Sequence, residues 1–308
     1  MSRQRPLLLL IDGHALIYRA YHALPELTDP KGRLVNAVYG FTRILLNVIR
    51  QFRPDYIAVA FDSKEKTIRA DLDETYKANR PEMPDDLKPQ VELVRRVVDT
   101  LNIPTLILPG YEADDLIGTI AKRVTQERDD VDVLIVTGDK DLLQLVDDRV
   151  RVFIPKRGRF SKDVEYDPEQ VKVKLGVSPS QVVDLKALMG DSSDNIKGVK
   201  GIGKKTASKL INQFGSLEKL YQAIDDGVDN LPAGVRQKLV DGRADAFLSQ
   251  ELARIKLDVP ISFDLERAKV TRYDKEKVIR LFEELGFHSL TKYLPQDEFE
   301  QSVQEALF

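Results

Sequence analysis

Cysteine is absent from the 308-residue chain. That excludes disulfides, thiolate zinc sites and cysteine nucleophiles, and it fits a reducing compartment. Histidine is nearly as scarce: His14, His22 and His288 are the three present, and they read as packing or surface residues rather than ligands. Long apolar runs are missing too. No stretch approaches the length of a membrane span. The N-terminal run LLLLI is five residues long before an aspartate interrupts it, which is too short for a signal-peptide core. A strong excess of either charge is also lacking, since the formal net charge is −3. What remains is ordinary for a soluble globular protein, with 42% hydrophobic and 31% charged residues. The length suits one large or two ordinary domains, and such a chain buries about three quarters of its unfolded surface without staples.

The apolar runs LLLLI (7–11), YIAVAF (56–61), TLILP (105–109) and VLIVT (133–137) are short and uninterrupted. Runs of that kind point to parallel strands buried on both faces. Helical periodicity lies between them at 38–49, 91–101 and 115–124. Alternating strand and helix predicts a doubly wound α/β domain over residues 1–177. The stretch 63–90 breaks the pattern: with three prolines, many charges and few large apolar residues, it reads as a segment that forms no core, and long loops of this kind are usually functional or disordered. From Ser178 the strand signals stop. Ser178 as N-cap with Pro179 at the first helical position opens a helix, and helical patterns follow at 204–213, 217–224, 246–256 and 275–285. Residues 178–293 therefore read as a helical subdomain, and 294–308 as an acidic tail or linker.

Three of the strand-like runs end in aspartate: Asp12, Asp62, and Asp139 with Asp141 two residues on. Ligands of open α/β sheets bind outside the carboxyl ends of the strands, so these acids should converge on one edge. GYEADDLIG (110–118) follows the fourth run and adds Glu112, Asp114 and Asp115, while GDSSDN (190–195) adds Asp191 and Asp194. Nine carboxylates in one cleft repel each other unless cations neutralise them. With no thiol and little imidazole available, the ligands are hard oxygens, suited to Mg²⁺ or Mn²⁺. The acids outnumber what one Mg²⁺ needs, so two or more ions are expected, and two-metal sites serve phosphoryl transfer and nuclease chemistry. The plainer reading of any one of these aspartates is a helix N-cap; the convergence of several favours metal.

KGVKGIGKKTASK (197–209) packs glycines 198, 201 and 203 among five lysines. Glycine lets the backbone come close to a ligand. A helix N-terminus suits phosphate, and lysines add attraction that reads no sequence. Lys197, Gly198, Lys200, Gly201, Gly203, Lys204, Lys205 and Thr206 are therefore candidate contacts to a nucleic-acid backbone. The charge sum supports this: without the nine clustered acids the rest of the chain carries +6.

LIDGHALIYRAYHAL, NAVYGF, VAFDSK, YKANRP, PGYEADDLIGTIA, VTGDKDLLQLV, LKALMGDSSDNIKGVKGIGKKTA and FGSLEKLY run from residue 7 to about 221. Together they resemble the 5′ nuclease domain of bacterial DNA polymerase I, in the flap endonuclease superfamily, with weaker similarity to residue 293. The resemblance implies a PIN-like parallel sheet flanked by helices, a helical arch over 63–90, and a helix-hairpin-helix at 197–213 that grips the duplex and binds K⁺. It implies that the nine acids hold the metals; the division expected here puts Asp12, Asp62, Glu112 and Asp114 mainly on one ion and Asp115, Asp139, Asp141, Asp191 and Asp194 on the other, some of them through water. Tyr76, Lys77 and Arg80 match the arch under which the 5′ strand passes, and Arg19 a basic residue near the scissile bond. Lys197 and Lys204 depart from the usual proline and acid of the hairpin, adding charge on its phosphate side. The implied activity is cleavage of DNA at 5′ flaps, nicks and single-strand/double-strand junctions, by a cytoplasmic monomer with no membrane partner. The chain is expected to be either the N-terminal part of a DNA polymerase I, with a fused polymerase beyond it, or a stand-alone exonuclease. A PIN-type ribonuclease and a non-catalytic nucleic-acid-binding module are the competing readings. The basic glycine-lysine region counts against the first, and nine intact acids against the second.

Overall fold

Both faces of the run at residues 7–11 are apolar, and both are covered. The computed structural model describes residues 5–155, 163–300 and 302. Its sheet contains β1 (Leu7–Asp12), β2 (Tyr56–Ala60), β3 (Thr105–Leu106), β4 (Asp132–Val136), β5 (Val150–Ile154) and β6 (Val164–Tyr166), in the order β3-β2-β1-β4-β5-β6. All neighbours are parallel except β6, which runs antiparallel on the edge. The helices are α1 (Gly13–Ala23), α2 (Asn36–Phe52), α3 (Ile68–Leu72), α4 (Lys88–Thr100), α5 (Ala113–Glu127), α6 (Pro168–Leu175), α7 (Val182–Met189), α8 (Lys204–Phe214), α9 (Leu217–Asp225), α10 (Ala233–Asp241), α11 (Arg243–Ala253) and α12 (Lys275–Glu284).

Side chains alternate across the strands. Leu9, Ile11, Val59 and Leu134 face one layer, where they share a core with Leu16 and Ile17 of α1, Phe41 and Leu45 of α2, and Val94 and Val98 of α4. Leu8, Leu10, Ala58 and Ile135 face the other, against Leu116 and Ile120 of α5. That second core runs on without a break through Leu185 and Leu188 of α7, Ile211 of α8 and Leu220 of α9. A parallel sheet with helices on both faces, joined to a helical region, is the architecture expected. No described helix is long and apolar enough to cross a membrane.

The structure departs from the sequence reading in four places. The run 105–109 keeps only two residues in the sheet as β3, while β5 and β6 extend the opposite edge. Helix α12 does not stay with the helical region: Val278, Leu281 and Phe282 pack in the core of α2 and α4. The expected unit 178–293 thus includes one helix that packs on the α/β sheet domain. The stretch 63–90 holds the five-residue helix α3, a series of turns and the first three residues of α4. It also forms core, because Arg69, Tyr76 and Leu87 are 3%, 8% and 0% exposed. Lastly, residues 298–300 are helical, with Lys275 Nζ 2.6 Å from Glu300, so the first part of the tail docks on the body; residues 301 and 303–308 lie outside the described residues.

Candidate metal centre and nucleic-acid interface

Parallel register sets the acids on one edge. Asp12 closes β1 opposite Ala60, two residues before Asp62, and Ile11 lies opposite Val136, three residues before Asp139. Asp12 is also the N-cap of α1: its Oδ1 accepts from Ala15 N–H at 3.1 Å and its Oδ2 from the Thr137 hydroxyl at 2.6 Å. Thr137 Oγ1 accepts from Asp139 N–H at 2.9 Å, and Asp139 Oδ1 from Asp141 N–H at 2.9 Å. One relay therefore fixes three acids. Asp62 accepts from Ala113 N–H at 2.8 Å, which pins the end of β2 to the start of α5. Glu112 is the N-cap of α5, and Asp114 stands in its first turn, where the helix dipole favours negative charge.

These dipoles and hydrogen bonds do not neutralise the cluster. Burial first, then Asp62 and Asp139, pushes the Asp12 carboxyl up to about 7. Burial and neighbouring Asp139 push Asp141 up to about 7 as well. Asp114 is driven well above the usual carboxylate range by burial, Asp139 and Asp12. His14 adds no cation: its Nδ1 accepts from Asp62 N–H at 3.0 Å, so its 3.4 Å approach to Asp62 Oδ2 is not an ion pair, and burial lowers its proton affinity.

The chain's own cations occupy part of the site. Lys77 Nζ lies 2.8 Å from Glu112 Oε2, Arg80 pairs with Asp194, and Lys186 bridges Asp141 and Asp191. Burial opposes the charge on Asp191, but Lys186 and Ser193 overcome it and hold that carboxyl at about 2. Among the described residues no three carboxylate or imidazole groups are drawn together as a finished metal shell. The donor set nonetheless fits a hard divalent ion that keeps several waters. Asp12 is buried and Asp114 and Asp141 are half-buried, the negative form of each lacks full compensation, and every donor is an oxygen.

Asp115 leaves the group. It is 0% exposed, both its oxygens take 2.7 Å hydrogen bonds from Arg69, and Glu112 N–H and Lys256 N–H complete its shell. With both oxygens engaged by Arg69 and two backbone N–H groups, it is the partner of a buried arginine in this structure. Tyr76, matched to the arch, is held inside the site. It is buried, its hydroxyl stands 3.3 Å from Glu112 Oε2, and Lys77 Nζ lies 5.0 Å from its ring centre. Lys77 has φ +55, a rare conformation for a side-chain-bearing residue, held by its N–H donating to Asp194 O at 2.9 Å.

Two clefts meet over the acids. One, of about 760 Å³, is lined by Asp12, Asp62, Lys77, Glu112, Asp114 and Arg95. The other, of about 680 Å³, is lined by Arg19, Asp141, Lys186, Asp191 and Lys204. Arg80 and Asp139 line both. Arg19 donates to the Pro155 carbonyl at the rim of the second cleft.

From the acids the chain runs straight into the hairpin. Asp191 and Ile196 close a two-bond bridge, and Gly198 follows with φ +62. A Cβ there would stand 2.2 Å from the Gly190 nitrogen, so Gly198 is buried packing between α7 and the turn and not an open contact. Gly201 has φ +80 and Gly203 is the N-cap of α8. Lys197, Lys200, Lys204 and Lys205 are exposed, and Thr206 is half-buried. Lys204 and Lys205 occupy the first turn of α8, the end where the dipole disfavours cations.

The sequence matches the 5′-3′ exonuclease N-terminal resolvase-like domain over residues 7–176 and the 5′-3′ exonuclease C-terminal SAM fold over 177–276. The chain belongs to the 5′-3′ exonuclease family. It is 46% identical over 298 residues to a DNA polymerase I of Chloroflexus aurantiacus, covering 94% of this chain and 31% of that one. With a DNA polymerase I of Caldicellulosiruptor bescii it shares 43% identity over 296 residues, covering 96% and 34%. The chain thus spans about a third of the length of these relatives. The bacteriophage T5 D15 flap endonuclease, solved as a pseudo-enzyme-product complex with DNA and metal ions, has the same fold: TM-score 0.65, 22% identity, 97% of this chain and 98% of that one.

In this member of the 5′-3′ exonuclease family several groups that build the site carry no local signal in the sequence. Thr137 and Lys186 sit inside the motifs VTGDKD and LKALMGD, where a hydroxyl and an ammonium among acids give no signal of their own. Arg69 and Arg95 lie in segments read as loop or ordinary helix. Lys238 Nζ donates to the Gly201 carbonyl at 3.3 Å and carries the basic face onto α10, which no motif covered.

Proposed function

We propose that the chain hydrolyses DNA phosphodiester bonds at 5′ ends, flaps and single-strand/double-strand junctions, in the cytoplasm, as in primer removal and repair. The observation that carries this reading is the convergence of Asp12, Asp62, Asp114 and Asp139 on one sheet edge, with the charge on Asp12 and Asp114 held unfavourable by burial and by each other. Asp12, Asp62, Glu112 and Asp114 would hold one divalent ion, Mg²⁺ or Mn²⁺, and Asp139, Asp141, Asp191 and Asp194 a second. Such ions, when bound, lower the pKa of water and neutralise charge on the phosphate. The T5 D15 complex with DNA and metal ions supports this reading.

The chain's own residues position the substrate. Arg80 lines both clefts and pairs with Asp194, from where it would reach a phosphate lying across the acids. Lys77, at the Glu112 carboxylate, offers charge to the same phosphate. Tyr76 holds Glu112 in place. Arg19 shapes the second cleft. The exposed lysines of the hairpin take the duplex backbone, and phosphate relieves their unfavourable place at the start of α8.

Asp114→Ala should slow cleavage of a 5′-flap duplex in Mg²⁺ by about a hundredfold or more while duplex binding in Ca²⁺ persists. Turnover at the native rate overturns the role of Asp114. Equal cleavage of an RNA flap would favour the ribonuclease reading instead.

A further inference from the structure

Lys186 is unlike the other lysines of this chain. It lies on α7 with 6% exposure, on a helix where Val182, Val183, Leu185 and Leu188 are also buried. Its stem is packed and its head is fixed: Nζ stands 2.6 Å from Asp191 Oδ2 and also donates to Asp141 Oδ1. The two carboxylates come from different segments, the 3₁₀ turn after β4 and the bridge after α7. The charges of Asp139 and Asp194 also act on Asp141 and raise its carboxyl. An ammonium held this way is a permanent positive charge inside the acid cluster. A dication drawn to the same two carboxylates meets like charge and occupied lone pairs.

We propose that Lys186 is a resident counter-ion that competes with the second divalent ion for Asp141 and Asp191, so that the two metal positions fill with unequal affinity. Lys186 is a positioning residue here: it keeps Asp141 and Asp191 together in the metal-free protein and is displaced when the second ion enters. The proposal rests on the metal-nuclease reading above. It adds that one protein side chain sets the order of filling.

Manganese titration of the full chain, followed by the electron paramagnetic resonance of free Mn²⁺, tests it. In Lys186→Met the second-site dissociation constant should fall by about tenfold or more, with the first site unchanged, whereas Lys186→Arg should bind like the native protein. A purely structural role lowers the melting temperature of Lys186→Met in EDTA and leaves the second site where it was, and that result overturns the proposal alone. Protein that binds no manganese at all overturns the metal reading and this proposal with it. Should Lys186→Met fail to fold, the native protein decides. Acetylation of Lys186, read by mass spectrometry, should rise severalfold between one and two bound ions. Protection that persists with both ions bound overturns the proposal.

Discussion

Asp12 serves two roles that conflict. As N-cap it is stabilised by Ala15 N–H and the dipole of α1; as a buried acid beside Asp62 and Asp139 its charge is disfavoured, and its carboxyl rises to about 7. A group whose folded pKa lies above its unfolded value costs stability that is fully present above the folded pKa and vanishes below the unfolded one. Asp12→Asn should therefore melt several degrees higher than the native protein in EDTA at pH 8. The gap should shrink as pH falls through 7 towards 4, where the native acid takes up its proton. His14 shifts the other way, but it is common to both proteins and drops out of the difference. Asp191, held at about 2, titrates below this window. A lower melting point for the variant at pH 8 would show that the Asp12 charge is already compensated. Asp115 shows the limit of reading charge from spacing. It sits in the same acidic triplet as Glu112 and Asp114, and nothing local separates it from them. Its partner Arg69 is 46 positions away, in a stretch whose composition argues against burial. The strand ends and acid motifs were legible because they are local; the cations that share the acids among themselves were not.

At the level of elements, amphipathic helices were legible because their apolar period is set by the layer they cover, and α2, α4, α5 and α8 lie close to where periodicity put them. β5 was not, because VRVFI places a half-buried arginine inside a five-residue run, and the three-residue β6 is too short to show a period. The stretch 63–90 escaped for a different reason: it is buried through ionic and aromatic groups. Arg69 satisfies itself on Asp115 and on the Leu252 and Arg254 carbonyls, and so ties α3 to α5 and to the end of α11. The hairpin depends on glycines in a way the sequence did suggest, but for packing more than for access. Gly198 N–H donates to Ser249 Oγ at 3.0 Å, and its Cα side lies against Gly190, which itself has φ +73. Gly198→Ala adds both a left-handed strain and a backbone clash. It should lower the melting temperature by about 4 °C or more and weaken duplex binding although every lysine is retained. Native affinity with a native melting curve would mean that the packing of α7 against the turn relaxes without consequence.

Across the whole molecule, charge is sorted. A chain of net charge −3 gathers Asp12, Asp62, Asp114 and Asp139 at one sheet edge and sets a lysine-bearing turn directly after the neighbouring Asp191 and Asp194. Because the second core runs from the sheet through α7 into α8 and α9, the acid edge and the basic hairpin share one packed body. Duplex held on one is therefore held in a fixed relation to the other, and binding and cleavage should separate cleanly by mutation. Lys200 and Lys205 are both exposed and belong to the hairpin alone. Replacing the two with alanine should flatten the dependence of log affinity on log salt by about one unit for each phosphate that the protein no longer neutralises. The cleavage rate at saturating flap DNA should stay near native, since neither side chain lies among the acids. An unchanged slope would place the duplex on another face of the helical region, and a fall in the saturated rate at native slope would mean that these lysines reach the reacting end of the substrate.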